Sequence, residues 1–147
     1  MGGNSGKPVK ITLSVRSEAL YNANPQPSTQ LELDAYCGLS DDNLGKIPPG
    51  GPQNINEFTS QVYNGNTVTW DGVSSDNPGY RILIDSISNN TSFFASDPPG
   101  QDGKVTATLK SGVASGTLDT YTITFSIDPP GNGTPKTYNL DPKLNMN

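Results

Sequence analysis

Fourteen acidic side chains, one cysteine and one tryptophan are the residues of this 147-residue chain with the most chemistry to offer, and no histidine stands beside them. That absence removes the usual general base, the usual metal imidazole and every Ser-His or Cys-His nucleophile pair. What remains is carboxylate chemistry. Two carboxylates can hydrolyse a glycoside, but the acidic residues fall almost entirely in loops, at strand ends and on polar faces, where solvation accounts for them. No Gly-rich stretch ends in Lys-Ser/Thr, and no strand leads into G-x-G-x-x-G, so a phosphate cradle is not expected. The sequence therefore predicts no catalytic residue, no cofactor and no metal site.

The acidic loops are the candidates against that expectation, since calcium takes oxygen ligands from carboxylates and carbonyls. Asp41, Asp42 and Asn43 form one group, Asp97 and Asp102 a second, Asp71 and Asp76 a third. None has the spacing of an EF-hand loop, and Asx residues beside Gly and Pro are ordinary turn-makers. Aromatics are the other candidates, because sugars stack their apolar faces on Trp or Tyr. Sequence proximity gathers Tyr63, Trp70 and Tyr80 around one turn and the next. Trp70 shares strand parity with Val68 and is assigned to the core, whereas Tyr63 falls on the parity opposite Val62 and is the freer ring. Cys37 ends an apolar run and reads as a small buried hydrophobe. The sequons at Asn89, Asn90 and Asn132 matter only on a secretory route, and Pro135 follows the Thr134 of the last one.

The elements that would position these residues are strands. Residues 1–7 are Gly-rich and polar and read as a flexible N-terminal segment, leaving 8–147 as one domain. Val9, Ile11, Leu13 and Val15 alternate with polar residues, as in a half-buried strand of period two. Leu31, Leu33, Ala35 and Cys37 repeat the pattern and predict a second strand. A Pro-rich loop over 38–56 separates it from Phe58, Ser60 and Val62, whose run meets Val68 and Trp70 across Asn64-Gly65, a strong hairpin signal. Tyr80–Ile87 is apolar on both faces, with Ile82 and Ile84 on one and Leu83 and Ile87 on the other, which predicts a centrally placed strand. Val105–Leu109, Tyr121–Ile127 and Tyr138–Leu140 follow, with Leu144 and Met146 beyond Pro142. Helical spacing is confined to a single turn near Glu18–Tyr21. The result is an all-β chain, a β-sandwich of about eight mostly antiparallel strands of Greek-key or jelly-roll kind.

A hydrophobic fraction of 31% makes the core thin, and the 16 glycines and 13 prolines lie between the apolar runs, as turns between strands do. The net charge of −5 opposes attraction to nucleic acid or anionic lipid. No apolar stretch approaches a membrane span and no export signal opens the chain, so the expected location is cytoplasmic.

Three stretches carry a resemblance. Tyr21-Asn22-Ala23-Asn24-Pro25-Gln26-Pro27-Ser28, Gly65-Asn66-Thr67-Val68-Thr69-Trp70, and Tyr121–Ile127 leading to Tyr138-Asn139-Leu140-Asp141-Pro142 together resemble the AidA/PixA inclusion-body protein family. The resemblance implies a small bacterial intracellular β-sandwich, in some members deposited in crystalline inclusions, with no established enzymatic activity. It assigns Trp70 and Asp141 structural roles, Trp70 filling the core and Asp141 tying down the last turn.

The function read from the sequence is accordingly that of a non-enzymatic protein whose partner is itself or another protein. The alternative is a carbohydrate-binding, lectin-like module assisted by calcium. Either reading requires the same architecture, so far-ultraviolet circular dichroism should be dominated by sheet. Helix above about a fifth of the chain would overturn the all-β assignment, because such a sandwich has no place for it.

Overall fold

The computed structural model describes residues 7–42, 46–47, 55, 58–88, 93–94, 98 and 100–146. Among these, eleven strands and two short helices form an all-β fold. The strands are β1 (Val9–Val15), β2 (Cys37–Asp41), β3 (Lys46–Ile47), β4 (Thr59–Val62), β5 (Thr67–Ser74), β6 (Arg81–Ser88), β7 (Val105–Thr108), β8 (Leu118–Thr120), β9 (Thr122–Asp128), β10 (Lys136–Leu140) and β11 (Lys143–Met146). The helices are α1 (Ser17–Tyr21) and α2 (Gln30–Asp34), both in the connection between β1 and β2.

One sheet has the order β3-β2-β1-β5-β7, with β1 and β5 parallel and the other pairs antiparallel. Two three-stranded sheets, β10-β9-β6 and β4-β11-β8, make the opposing layer. They are halves of one ribbon: only Tyr121 separates β8 from β9, only Asp141-Pro142 separates β10 from β11, and the Tyr121 N–H donates to the Pro142 carbonyl at 3.0 Å. Proline cannot extend a ladder, so Pro142 ends β10 and the chain restarts as β11, which pairs with β4 and β8. The Thr122 hydroxyl donates to Asp141 at this joint at 2.9 Å, giving the carboxylate the tying role expected of it.

Alternation puts Val9, Ile11, Leu13 and Val15 of β1 against Tyr121, Ile123, Phe125 and Ile127 of the facing layer, all in one buried cluster. Cys37 is buried there as expected, and burial, reinforced by the Asp34 carboxylate, pushes its thiol up and keeps it protonated.

Three expectations need correction. The strand predicted over 31–37 begins only at Cys37, because Gln30–Asp34 is helix α2. Its N-terminus is a capping box: the Thr29 side chain accepts from the Glu32 N–H, while Glu32 Oε1 accepts from the Thr29 N–H. Leu31, assigned to the core face by alternation, is 66% exposed. The turn at Asn64-Gly65 is present, with Gly65 at φ +72°, but the strands it joins do not form a hairpin. β4 pairs with β11 in one layer, and β5 pairs with β1 and β7 in the other. Finally, β6 is not the central two-faced strand. A register shift between Ile84 and Ser86 makes Asp85 the extra residue of a bulge, so Ile82, Ile84 and Ile87 all turn inward and Leu83 stays half-buried. β9 holds the centre of that sheet.

The free side of β6 is covered by the segment ahead of β7, where the Gly100 N–H donates to the Asp85 carbonyl and the Ile84 N–H to the Gly103 carbonyl. A Cβ on Gly100 would collide with the Asp85 carbonyl oxygen, a backbone atom with nowhere to go. Gly100→Ala should therefore destabilise the protein by on the order of 1–3 kcal/mol, as overpacking does. Urea unfolding measures it, and an unchanged midpoint would refute so close an approach.

Candidate functional site

Four of the acidic candidates, Asp41, Asp42, Asp71 and Asp76, are occupied with internal contacts. Asp41 accepts from the buried Ser60 hydroxyl at 2.6 Å, joining β2 to β4 across the layers. Asp42 accepts from the Lys10 N–H at 3.1 Å and lies 3.8 Å from Lys7 Nζ. Asn43 and Asp97 lie outside the described residues, as do the sequons at Asn89 and Asn90. Asp71 accepts from the Gly72 N–H and faces Lys104 at 3.6 Å, whereas Asp76 sits in the β5–β6 turn and addresses α1. Asp71 and Asp76 are thus engaged separately and make no joint site. Asp102 stands in the Gln101–Lys104 turn at φ 55°. No group of three or more His, Cys, Asp or Glu side chains suited to a metal occurs among the described residues.

Asp76 shows what these carboxylates do. Oδ1 accepts from the Glu18 N–H at 3.1 Å and the Asn77 N–H at 2.7 Å, and Oδ2 from the Ala19 N–H at 3.1 Å. Hydroxyls of Ser74 and the fully buried Ser17 complete the knot. Arg16 precedes α1 without a capping side chain of its own, so Asp76, from a turn sixty residues along, supplies the acceptors that the first amides lack. Partial burial raises the carboxyl's pKa, but the Ala19, Glu18 and Asn77 amides and the Ser74 hydroxyl outweigh it and leave the value lowered.

The aromatic candidates are dispersed. Trp70 is 1% exposed. Its ring meets Phe94 and Tyr121 edge-on at centroid distances of 6.0 and 5.6 Å, and its Nε1–H donates to the Tyr121 hydroxyl at 3.0 Å. Tyr80 tilts against Tyr21 instead, at 5.7 Å. Tyr63 is freer than Trp70 but still packs half-buried on the core. The expected gathering of Tyr63, Trp70 and Tyr80 as a stacking platform is not formed by their ring contacts.

Two of the open surface clefts carry polar side chains. One of about 480 Å³ is lined by Gln101, Asp102, Lys104 and Thr106 at the edge of β7. Another, about 280 Å³, runs between α2 and β10 and is lined by Thr29, Gln30, Leu33, Tyr138 and Asn139 among others. Burial pushes the Tyr138 phenol up to about 12, and its hydroxyl donates to Gln26 at 2.7 Å. Gln26 in turn donates to the carbonyls of Leu20, Tyr21 and Ala23, so this cleft's one ionisable ring is a clasp for the connection between β1 and β2. The other polar pairing beside this cleft, the Ser28 and Thr29 hydroxyls donating to Glu32 at 2.8 and 3.3 Å, belongs to the start of α2. The feature that sequence reading missed beside this cleft is helix α2, whose signal lay in the Thr29-x-x-Glu32 capping box after the Pro25–Pro27 turn.

These layers define the class: a mixed-sheet β-sandwich with short helices in its first connection. Within it, the chain is similar in structure to the inclusion body protein PixA from Burkholderia cenocepacia J2315, with a TM-score of 0.56 at 12% sequence identity, over 99% of this chain and 98% of that one. The likeness establishes the fold and agrees with the family resemblance carried by the three sequence stretches. No protein-family profile matches the sequence, and no curated protein does.

The Asp76 knot has a pH signature. A carboxyl whose folded pKa is lowered contributes stability above its unfolded value, near 3.8, and loses it as pH falls through the lower folded value. Stability should therefore drop below about pH 4, and Asp76→Asn should shrink that drop while weakening α1 at neutral pH. Identical acid-unfolding profiles for the variant and the parent would dismiss Asp76 as a fastener.

Proposed function

We propose that this chain is a non-enzymatic, self-associating β-sandwich of the inclusion-body-protein kind, cytoplasmic and bacterial, with residues 8–147 acting as one unit. The observation that carries this reading is the end-to-end structural likeness to an inclusion body protein, which spans both chains almost completely. It is supported by the way the polar candidates are spent. Asp41, Asp71, Asp76 and Asp141 hold strands, turns and a helix end together, and Trp70 gives its one donor to Tyr121. A glycan-stacking role loses its strongest ring to the core, so a protein surface, in the first instance that of a second copy, is the favoured partner.

Light scattering across a concentration series tests this. The expected mass rises with concentration above the 15.5 kDa of one chain, because association follows mass action. A mass that stays at one chain up to the solubility limit would sink the self-association reading. A glycan array probed in parallel should remain blank.

A further inference from the structure

The sequence contains two Asn-Gly steps, Asn64-Gly65 and Asn132-Gly133, and the fold treats them oppositely. Asn64 is clamped: its Nδ2 donates to the Val113 carbonyl at 2.9 Å and its Oδ1 accepts from the Val113 N–H at 2.9 Å. The backbone there is also fixed, with Gly65 at φ +72° and the Asn64 carbonyl accepting from the Asn66 side chain. Asn132 lies in the exposed turn between β9 and β10, within a run of exposed residues from Pro130 to Pro135. It makes no hydrogen bond among the described residues.

From this contrast we infer that Asn132 is a site of spontaneous deamidation and that Asn64, which shares the Asn-Gly step, is protected from it. The Gly133 amide nitrogen, giving up its proton to solvent, attacks Asn132 Cγ. The new C–N bond closes a five-membered succinimide as the Cγ–Nδ2 bond breaks and ammonia leaves. Water then adds to the ring: cleavage at Cγ leaves aspartate, and cleavage at the backbone carbonyl leaves isoaspartate. No oxidant or reductant takes part.

Glycine is what makes the attack accessible, because no Cβ stands over the nitrogen. No other asparagine of the sequence precedes a glycine. Asn24 and Asn77 precede prolines, which have no amide proton, and Asn139 precedes the buried Leu140 within β10. At Asn64 the same ring closure requires both Val113 hydrogen bonds to break first, which slows it by at least about tenfold. The product at residue 132 carries one more negative charge on a chain already at −5. It lies two residues from the Thr134 carbonyl, which accepts from the Tyr21 hydroxyl at 2.6 Å and docks this turn on α1. Isoaspartate adds a backbone methylene inside that docked turn.

The test is peptide mapping by mass spectrometry after incubation of the full chain at mildly alkaline pH, folded and in urea, alongside Asn132→Gln. The folded protein should convert at Asn132, at least about tenfold faster than at Asn64, with both products present and a matching acidic species on anion exchange. In urea the two steps should convert at similar rates, and Asn132→Gln should abolish the acidic species of the folded protein. Comparable conversion at Asn64 and Asn132 in the folded chain would overturn the inference. So would an Asn132 that stays an amide when folded while it converts in urea.

Discussion

Two of the largest buried side chains, Trp70 and Tyr121, must satisfy each other's polar atoms inside a core with little apolar material to spare. Trp70 enters from β5 in one layer. Tyr121 enters from the joint between β8 and β9 in the other. A buried indole N–H or phenol without a partner would forfeit on the order of 1–3 kcal/mol, so the 3.0 Å bond between them fixes how the layers face each other. Burial pushes the Tyr121 phenol up and keeps it protonated, so no charge enters the core at this contact. Phe94 closes the edge of the indole, and the aliphatic rows of β1 and β9 fill the space around the pair.

Fixing the layers leaves the connections to be fastened, and here the carboxylates enter. Asp34, nearly buried, accepts from Gln30 at 2.9 Å and from the Ile55 N–H at 3.2 Å, holding α2 to a residue beyond β3. Asp76 holds α1, Asp141 the joint between β10 and β11, and Asp41 the crossing of β2 and β4. Lys136 donates to the Tyr21 carbonyl at 2.8 Å and lies over the Tyr21 ring, pinning the same connection from the β10 side. An acidic chain with a thin core thus uses its carboxylates as acceptors for amides that its short helices and tight turns leave unpaired.

This division of labour explains what was legible in the sequence. β1, β5, β7 and β9 are regular strands buried on one face, so period-two alternation named their core residues directly, Trp70 among them. α1 was legible as a single helical turn. Leu31-x-Leu33-x-Ala35-x-Cys37 alternates as well as any of the true strands, but alternation over four positions does not exclude one turn of helix, and the capping box decided the matter. The bulge at Asp85 was hidden for a different reason: inserting one residue into a strand shifts its parity, and a run of Ile and Leu gives no sign of where the shift falls. The Asn64-Gly65 signal correctly located a turn. It could not say whether the chain continues in the same sheet or crosses to the other, since that choice belongs to β11 and β1, far away in sequence. The acidic fasteners were visible only as scattered turn residues for the same reason, their partners lying on other elements.

A shared fold at 12% identity is intelligible on these terms. The core asks only for alternating apolar residues and for mutually satisfied polar groups, which many sequences supply, whereas the outer faces are free to diverge. In this chain those faces carry short hydroxyl and amide side chains that pair with one another across strands: Thr69 with Thr106, Thr124 with Asn139, and Ser126 with Thr137 and Asp85. β10 offers little edge for another strand to join, because Pro135 and Pro142 flank it and the outward carbonyl of Asn139 already accepts from Gln30. On the proposed reading, then, association at this end of the sandwich falls to faces of mostly small side chains whose main charges, Arg81 and Asp128, are paired with each other. Such faces bring little long-range repulsion and little side-chain entropy to lose, and they favour contacts that depend on shape and repetition over a single dominant anchor.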